Sequence, residues 1–127
     1  VYSRYSILLE SLQHKRFNPL LGTCFYNSRL YVDADGGFHI CEKMNDSFQF
    51  GNAFDGFDYD KMATIVNQYI QLLENHCRDC EVRFLCNKCY IHFAKNGVFQ
   101  VSEEYCRKEK QAIKKILEEA INLEENE

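Results

Sequence analysis

The chain is 127 residues long, with 15 basic and 19 acidic side chains, a formal charge of −4 and seven cysteines. That length fits one domain with a modest core, which bound metal would help to stabilise. The negative balance excludes an electrostatic footprint for nucleic acid, the odd cysteine count excludes complete disulfide pairing within the chain, and no apolar run approaches the ~20 residues that cross a bilayer.

Tyr5, Leu8, Leu9 and Leu12 recur at helical spacing and predict a short amphipathic helix over residues 2–14. Pro19 ends any continuation. No secretory signal pattern is visible, and a start at Val1 points to a piece of a longer protein. Leu30-Tyr31-Val32 and Phe38-His39-Ile40 read as two strands around Asp35-Gly36-Gly37, because an Asp-Gly pair accepts the positive φ of a tight turn. Such a hairpin is expected to bring Cys24 and Cys41 together at its open end. Residues 45–58 read as a polar and aromatic loop containing Gly51 and Gly56. Asp58 or Asp60 is then placed to cap a helix whose apolar positions are Met62, Ile65, Val66, Tyr69, Ile70 and Leu73.

Residues 76–100 show no period. A segment of that length fits a compact fold only if something besides backbone pairing organises it, and metal ligation is the expectation. Ser102 is placed to cap a last helix with Tyr105, Ala112, Ile113, Ile116, Leu117, Ala120 and Leu123 on one side and Cys106 near its start. Glu118, Glu119, Glu124, Glu125 and Glu127 make its end acidic and solvated. The expected class is α+β: a small β-hairpin plus helices, with an irregular, metal-organised cysteine loop.

The cysteine spacing carries the chemistry. Cys24 is followed by eleven residues, Gly36, four residues and Cys41; then come Cys77, Cys80, Cys86 and Cys89, with gaps of two, five and two, and finally Cys106. CxxC pairs are metal-knuckle spacings, and thiols so close in sequence rarely pair as disulfides. A structural zinc takes four Cys or His ligands, but paired knuckles usually stand ~15–20 residues apart. A zinc on Cys77, Cys80, Cys86 and Cys89 would also strand Cys24, Cys41 and Cys106. A [4Fe–4S] cube is wider than one ion and offers each of four thiolates its own iron. In two-cluster ferredoxins the fourth cysteine of a tight run serves the other cluster. The same logic gives Cys77, Cys80, Cys86 and Cys106 to one fully ligated centre and Cys24, Cys41 and Cys89 to a second with one open position. His39, His76 and His92 are candidates for that position, each set against the more common role of a bystander. Arg78, Arg83, Lys88 and Arg107 read either as compensation for a negative cluster or as solvated surface. Phe48, Phe50, Phe54, Phe57 and Tyr59 read either as a peptide groove or as shielding and core.

This cysteine order resembles the SPASM domain, the C-terminal auxiliary-cluster region of many radical S-adenosylmethionine enzymes. Val32-Asp33-Ala34-Asp35-Gly36-Gly37 before Ile40-Cys41-Glu42, together with Phe50-Gly51-Asn52 and Asp55-Gly56-Phe57 before a helix, adds to the likeness. It covers about residues 20–110. It departs from the common family spacing at one place, with two residues in place of three between Cys86 and Cys89.

The resemblance implies two auxiliary [4Fe–4S] clusters divided as above, serving electron transfer and substrate positioning. It implies a precursor peptide or protein as partner, and Cys80 to Tyr90 looks most like maturases that install thioether or similar crosslinks. Residues 1–19 are then a helical lead-in from an upstream radical S-adenosylmethionine domain, residues 20–127 form the auxiliary domain, and the setting is cytoplasmic. No CxxxCxxC triad occurs in these residues, so S-adenosylmethionine belongs to the upstream domain and this chain performs no radical chemistry by itself. The alternatives are a zinc-stabilised protein- or peptide-binding module and, without any local signature, an enzyme with a nucleophilic cysteine.

Overall fold

The structure is a computed structural model that describes residues 13, 29–44 and 48–125, with side chains through residue 122. The helix expected over residues 2–14 and the cysteine at position 24 lie outside the described residues, apart from Gln13, which is helical and exposed. The class is α+β as the sequence predicts. Helices α1 (Tyr59–Cys77) and α2 (Glu103–Glu125) accompany three two-stranded antiparallel sheets.

The first hairpin pairs β1 (Tyr31–Val32) with β2 (Phe38–His39), Tyr31 opposite His39 and Val32 opposite Phe38. Asp33 organises its turn. Its Oδ1 accepts the backbone N–H groups of Asp35 and Gly37 at 2.9 and 2.8 Å, and its carbonyl accepts that of Gly36 at 3.1 Å. Gly36 supplies the positive φ, +84°. Gly37 is needed for a different reason: a Cβ there would stand 2.5 Å from Asp33 Oδ2 and 3.0 Å from the Gln49 amide.

Residues 45–58 are not a plain loop. Where the structure describes them they contain a second hairpin, β3 (Gly51–Asn52) and β4 (Gly56–Phe57). Asn52 builds its turn, accepting from the N–H groups of Phe54 and Asp55 at 2.9 Å each and donating to the Asp55 carboxylate at 2.9 Å. Two backbone bonds continue the first hairpin into it: Phe50 N–H to Phe38 O at 3.0 Å and Ala53 N–H to Gly36 O at 2.8 Å.

The Asp58 carboxylate then caps α1 by accepting from Lys61 N–H at 2.9 Å. Ile65, Tyr69, Leu73 and Cys77 form its buried stripe, one residue every four. Cys77 is thus both the last rung of an apolar ladder and the first thiol of the cysteine run. After a 3₁₀ turn (Tyr90–His92), the third hairpin joins β5 (Ala94–Lys95) to β6 (Val98–Phe99). Asn96 and Gly97 turn it with φ of +52° and +78°, a pairing that matches the twist of the flanking strands. Residues 76–100 are therefore more regular than their lack of period suggests. Ser102 caps α2 as expected, its Oγ accepting from Tyr105 N–H at 3.3 Å.

The main core joins Ile40, Met44, Phe48 and Phe50 to the α1 stripe and to Tyr90 and Phe93. Tyr69 lies at its centre, its ring 4.4 Å from that of Tyr90 and 5.0 Å from that of Phe99. A smaller cluster sets Leu85 against Ile113, with Val82, Phe84, Cys86, Ile116 and Leu117 around them. This second cluster docks α2 on the cysteine loop.

Gly37→Ala is expected to destabilise the fold by about 1–3 kcal/mol, because the new methyl must displace a carboxylate held by other bonds. A urea melt measures it. The bonds from His39 and Gly37 hold the Asp33 carboxyl below the usual carboxylate range. Its folded-state pKa is lowered, so its contribution is present above the ordinary carboxylate pKa and is lost as pH falls through the folded value. Asp33→Asn should flatten the acid limb of the stability profile.

Candidate metal centre

The six described cysteines are free thiols. Cys77 closes α1, Cys106 lies in the first turn of α2, and Cys80, Cys86 and Cys89 occupy the turns between. Short backbone bonds fold that loop tightly: Cys80 N–H to Cys77 O at 3.1 Å, Arg83 N–H to Cys80 O at 3.1 Å, and Cys86 N–H to Val82 O at 2.9 Å.

Cys77 is brought within electrostatic reach of Cys80, Cys86 and Cys106, and Cys106 within reach of Cys80 and Cys86. Burial pushes the Cys86 thiol up to about 12, and the nearby Glu109, Cys77 and Cys106 push the same way while Lys88 opposes. Burial likewise raises Cys77, with Cys106 and Cys80 adding to the effect and Lys88 opposing. Burial raises Cys106, helped by Glu103 and Cys80. These are the four thiols that the spacing assigns to one centre. Cys41 and Cys89 take separate positions: Cys41 follows β2 and borders the main core, and Cys89 precedes the 3₁₀ turn beside buried Tyr90.

Lys88 is wholly buried among these thiols. Its ammonium donates to the carbonyls of Arg83 at 2.8 Å and Cys86 at 3.0 Å. Burial lowers its pKa, and the charges of Cys86, Cys77 and Cys80 work against that shift. The other cations of the run are surface groups or nearly so. Arg78 pairs with Glu74 in solvent, Arg107 is exposed, and Arg83 lies over the Phe84 ring at 4.5 Å while donating to Cys80 O.

Two tyrosines hold the Cys86-to-Cys89 backbone from opposite helices. Tyr69 of α1 donates its hydroxyl proton to Lys88 O, and Tyr105 of α2 donates to Asn87 O. Glu109 of α2 accepts from Asn87 N–H at 3.4 Å. Sequence periodicity marks both tyrosines as apolar helix positions and does not reveal their hydroxyl bonds.

The three candidate histidines separate clearly. His76 is exposed in the last turn of α1. His92 stacks on Tyr105 at 3.9 Å and 9°. His39 is only 1% exposed; its Nε2 lies 2.6 Å from Asp33 Oδ2, and its Nδ1 has no hydrogen-bond partner among the described residues. The aromatics of residues 48–59 also divide, Phe48 and Phe50 entering the core while Phe54 and Tyr59 are largely exposed. An open, mainly polar cleft of about 310 Å³ beside the second hairpin is lined by Gln49, Asn52, Asp55, Asp58 and Lys61, among others, and by no cysteine.

Among the described residues no three His, Cys, Asp or Glu side chains are gathered closely enough to hold a metal ion. The four thiols are a neighbourhood, not a closed cage. Around one zinc, with Zn–S bonds near 2.3 Å, they would stand ~3.8 Å apart. In chemistry the set fits an iron–sulfur centre: four thiols, one per iron, beside a buried cation that offsets their negative charge. Among the described residues no helix is long and apolar enough to cross a membrane. Comparison with protein-family models, curated proteins and solved structures finds no match to this chain.

Tyr69→Phe leaves the buried Lys88 carbonyl without that donor and should cost about 1–3 kcal/mol, whereas Tyr105→Phe, at an exposed bond, should cost about 0.5–1.5 kcal/mol. Chemical denaturation of the two variants measures the difference.

Proposed function

We propose that this chain is the auxiliary iron–sulfur domain of a radical S-adenosylmethionine enzyme that modifies a ribosomally made peptide or protein. One observation carries the reading. Cys77 of α1 and Cys106 of α2 lie within electrostatic reach of Cys80 and Cys86 of the tight run, and a buried ammonium, Lys88, acts on Cys77, Cys80 and Cys86.

When bound, a [4Fe–4S] centre supplies one-electron transfer at a potential set by charge, hydrogen bonding and exposure. The protein side of that chemistry follows from the residues. Cys77, Cys80, Cys86 and Cys106 hold one centre. Lys88 offsets part of the negative charge that four thiolates bring. Tyr69 and Tyr105 fix the backbone between Cys86 and Cys89, so that these thiols keep their spacing. Cys24, Cys41 and Cys89 hold the second centre. The exposed aromatics Phe54, Phe57 and Tyr59 offer a contact surface for a peptide partner. S-adenosylmethionine and the radical step belong to an upstream domain, because no CxxxCxxC triad occurs here. A cytoplasmic setting goes with the reading, since it keeps dense thiols reduced.

Anaerobic reconstitution with iron and sulfide tests it. The expected product is brown, absorbs broadly near ~400 nm and holds about eight irons per chain. Cys86→Ala should lose about half of that iron and Cys89→Ala about the other half. A colourless chain with one or two tightly held zincs that resists iron loading overturns the proposal, as does a Cys86→Ala variant with full iron content. Lys88→Met should make the reduction potential of the four-thiolate centre more negative, because removal of a buried positive charge disfavours the added electron; spectroelectrochemistry reads the shift.

A further inference from the structure

We infer that the cleft beside the second hairpin, with the exposed aromatics at its edge, receives an arginine side chain of the peptide partner. The inference deepens the reading above by giving that partner a chemistry: a basic segment, seated on the hairpins in a cleft that no cysteine lines.

The distribution of charge is the first ground. Residues 30–60 carry seven acidic side chains and one basic, whereas the other 96 positions carry twelve acidic and fourteen basic. The negative balance of the chain is thus concentrated on the first two hairpins, their connection and the start of α1. Asp35, Asp55, Asp58 and Asp60 are exposed there, and none forms an ion pair among the described residues. A surface of one sign draws and selects a partner of the other.

Hydrogen bonding is the second. The cleft holds about 310 Å³, and ligand pockets begin at about 300 Å³, so its size suits one long side chain. Its amide donors are already engaged: Gln49 Nε2 donates to Gly51 O at 3.0 Å and Asn52 Nδ2 to Asp55 Oδ2 at 2.9 Å. Asp58 Oδ1 accepts from Lys61 N–H at 2.9 Å. Asp55 Oδ1 and Asp58 Oδ2 accept from no group among the described residues. Carboxylates only accept, so a ligand here must bring donors. The exposed Lys61 ammonium is the exception in the lining; it opposes a cation and supplies a test.

The aromatics are the third. Six of the nine large hydrophobic side chains exposed among the described residues lie between Leu30 and Tyr59, a concentration that marks an interaction surface. Phe57 lines the cleft, and its ring stands 6.0 Å from that of Tyr59, which is 72% exposed. A guanidinium is planar, carries five donors in a fork that matches carboxylates, and stacks on aromatic faces. A lysine ammonium has neither the fork nor the plane.

The test is a ¹H–¹⁵N NMR titration of the full chain, taken through iron–sulfide reconstitution, with the acetylated and amidated peptide Gly-Arg-Gly-Arg-Gly. Wild type should show saturable shifts at the Gly51, Gly56, Asp58 and Lys61 amides. The same peptide with neutral citrulline for arginine should leave them in place, and added salt should weaken the binding. Asp55→Asn and Tyr59→Ala should each raise Kd about two- to five-fold. Lys61→Gln should lower it about two-fold, and Val98→Ala, exposed on the third hairpin, should leave it unchanged. Equal binding of the citrulline peptide, no binding, or a Kd indifferent to Asp55→Asn and Tyr59→Ala overturns the inference. So does concentration-dependent self-association that Asp55→Asn abolishes, which would put a second copy in the cleft. Iron content reports the parent reading separately. A loaded chain that ignores the peptide overturns this inference alone, and an unloaded chain that binds it overturns only the iron–sulfur assignment.

Discussion

A lysine ammonium without access to water is the constraint around which the cysteine loop is arranged. Burial of a charge is unfavourable unless it is paired or hydrogen-bonded. The carbonyls of Arg83 and Cys86 accept from Lys88 but cannot neutralise it. The groups around it that can carry negative charge are Cys86, Cys77, Cys80 and Glu109. Burial, however, keeps Cys86 and Cys77 protonated at neutral pH. Under the proposed iron–sulfur loading, metal binding deprotonates the thiols and adds negative charge around Lys88.

The loop does not wait for metal to acquire its shape. Tyr69 and Tyr105 reach it from different helices and bond to successive carbonyls, at Lys88 and Asn87. Leu85 and Ile113 bury one side of it, and Tyr90 and Phe93 tie its exit into the main core. Backbone bonds from Cys80 to Cys77 and from Cys86 to Val82 supply turns that a period-based reading does not register. So many fixed points hold the turns of this segment through hydrogen bonds and packing.

The parts of this architecture legible in the sequence are those written in local pattern. The α1 stripe, the Asp58 and Ser102 caps, the first hairpin and the place of Cys106 all follow from period, caps and turn chemistry. The second hairpin was hidden because Gly51–Asn52 and Gly56–Phe57 are too short to alternate, and their glycines are poor strand formers. The third carried a usable signal, Asn96-Gly97, obscured by its position next to the cysteine run. Lys88 could not be told from Arg78 or Arg107, because burial is a tertiary property and all three are cations beside cysteines. The Asp33–His39 pair spans a turn, and only its hydrogen bonds distinguish that histidine from the other two.

The helix termini explain why a cation is placed where it is. Cys77 ends α1, where the partial negative charge of the helix C-terminus disfavours a thiolate. Cys106 lies in the first turn of α2, where the opposite end of the dipole favours one, although Glu103 works against it. The four thiols are thus unequal in their electrostatic surroundings, with the less favourable side at the end of α1. Lys88 acts on Cys77 and Cys86, whose burial is compounded by neighbouring negative charge and which lack the helix N-terminus that Cys106 has. A solvated arginine at position 78 or 107 would be screened by water and could not redress that imbalance; a desolvated ammonium inside the loop can. Lys88 therefore does for the α1 side of the thiol group what the N-terminus of α2 does for Cys106.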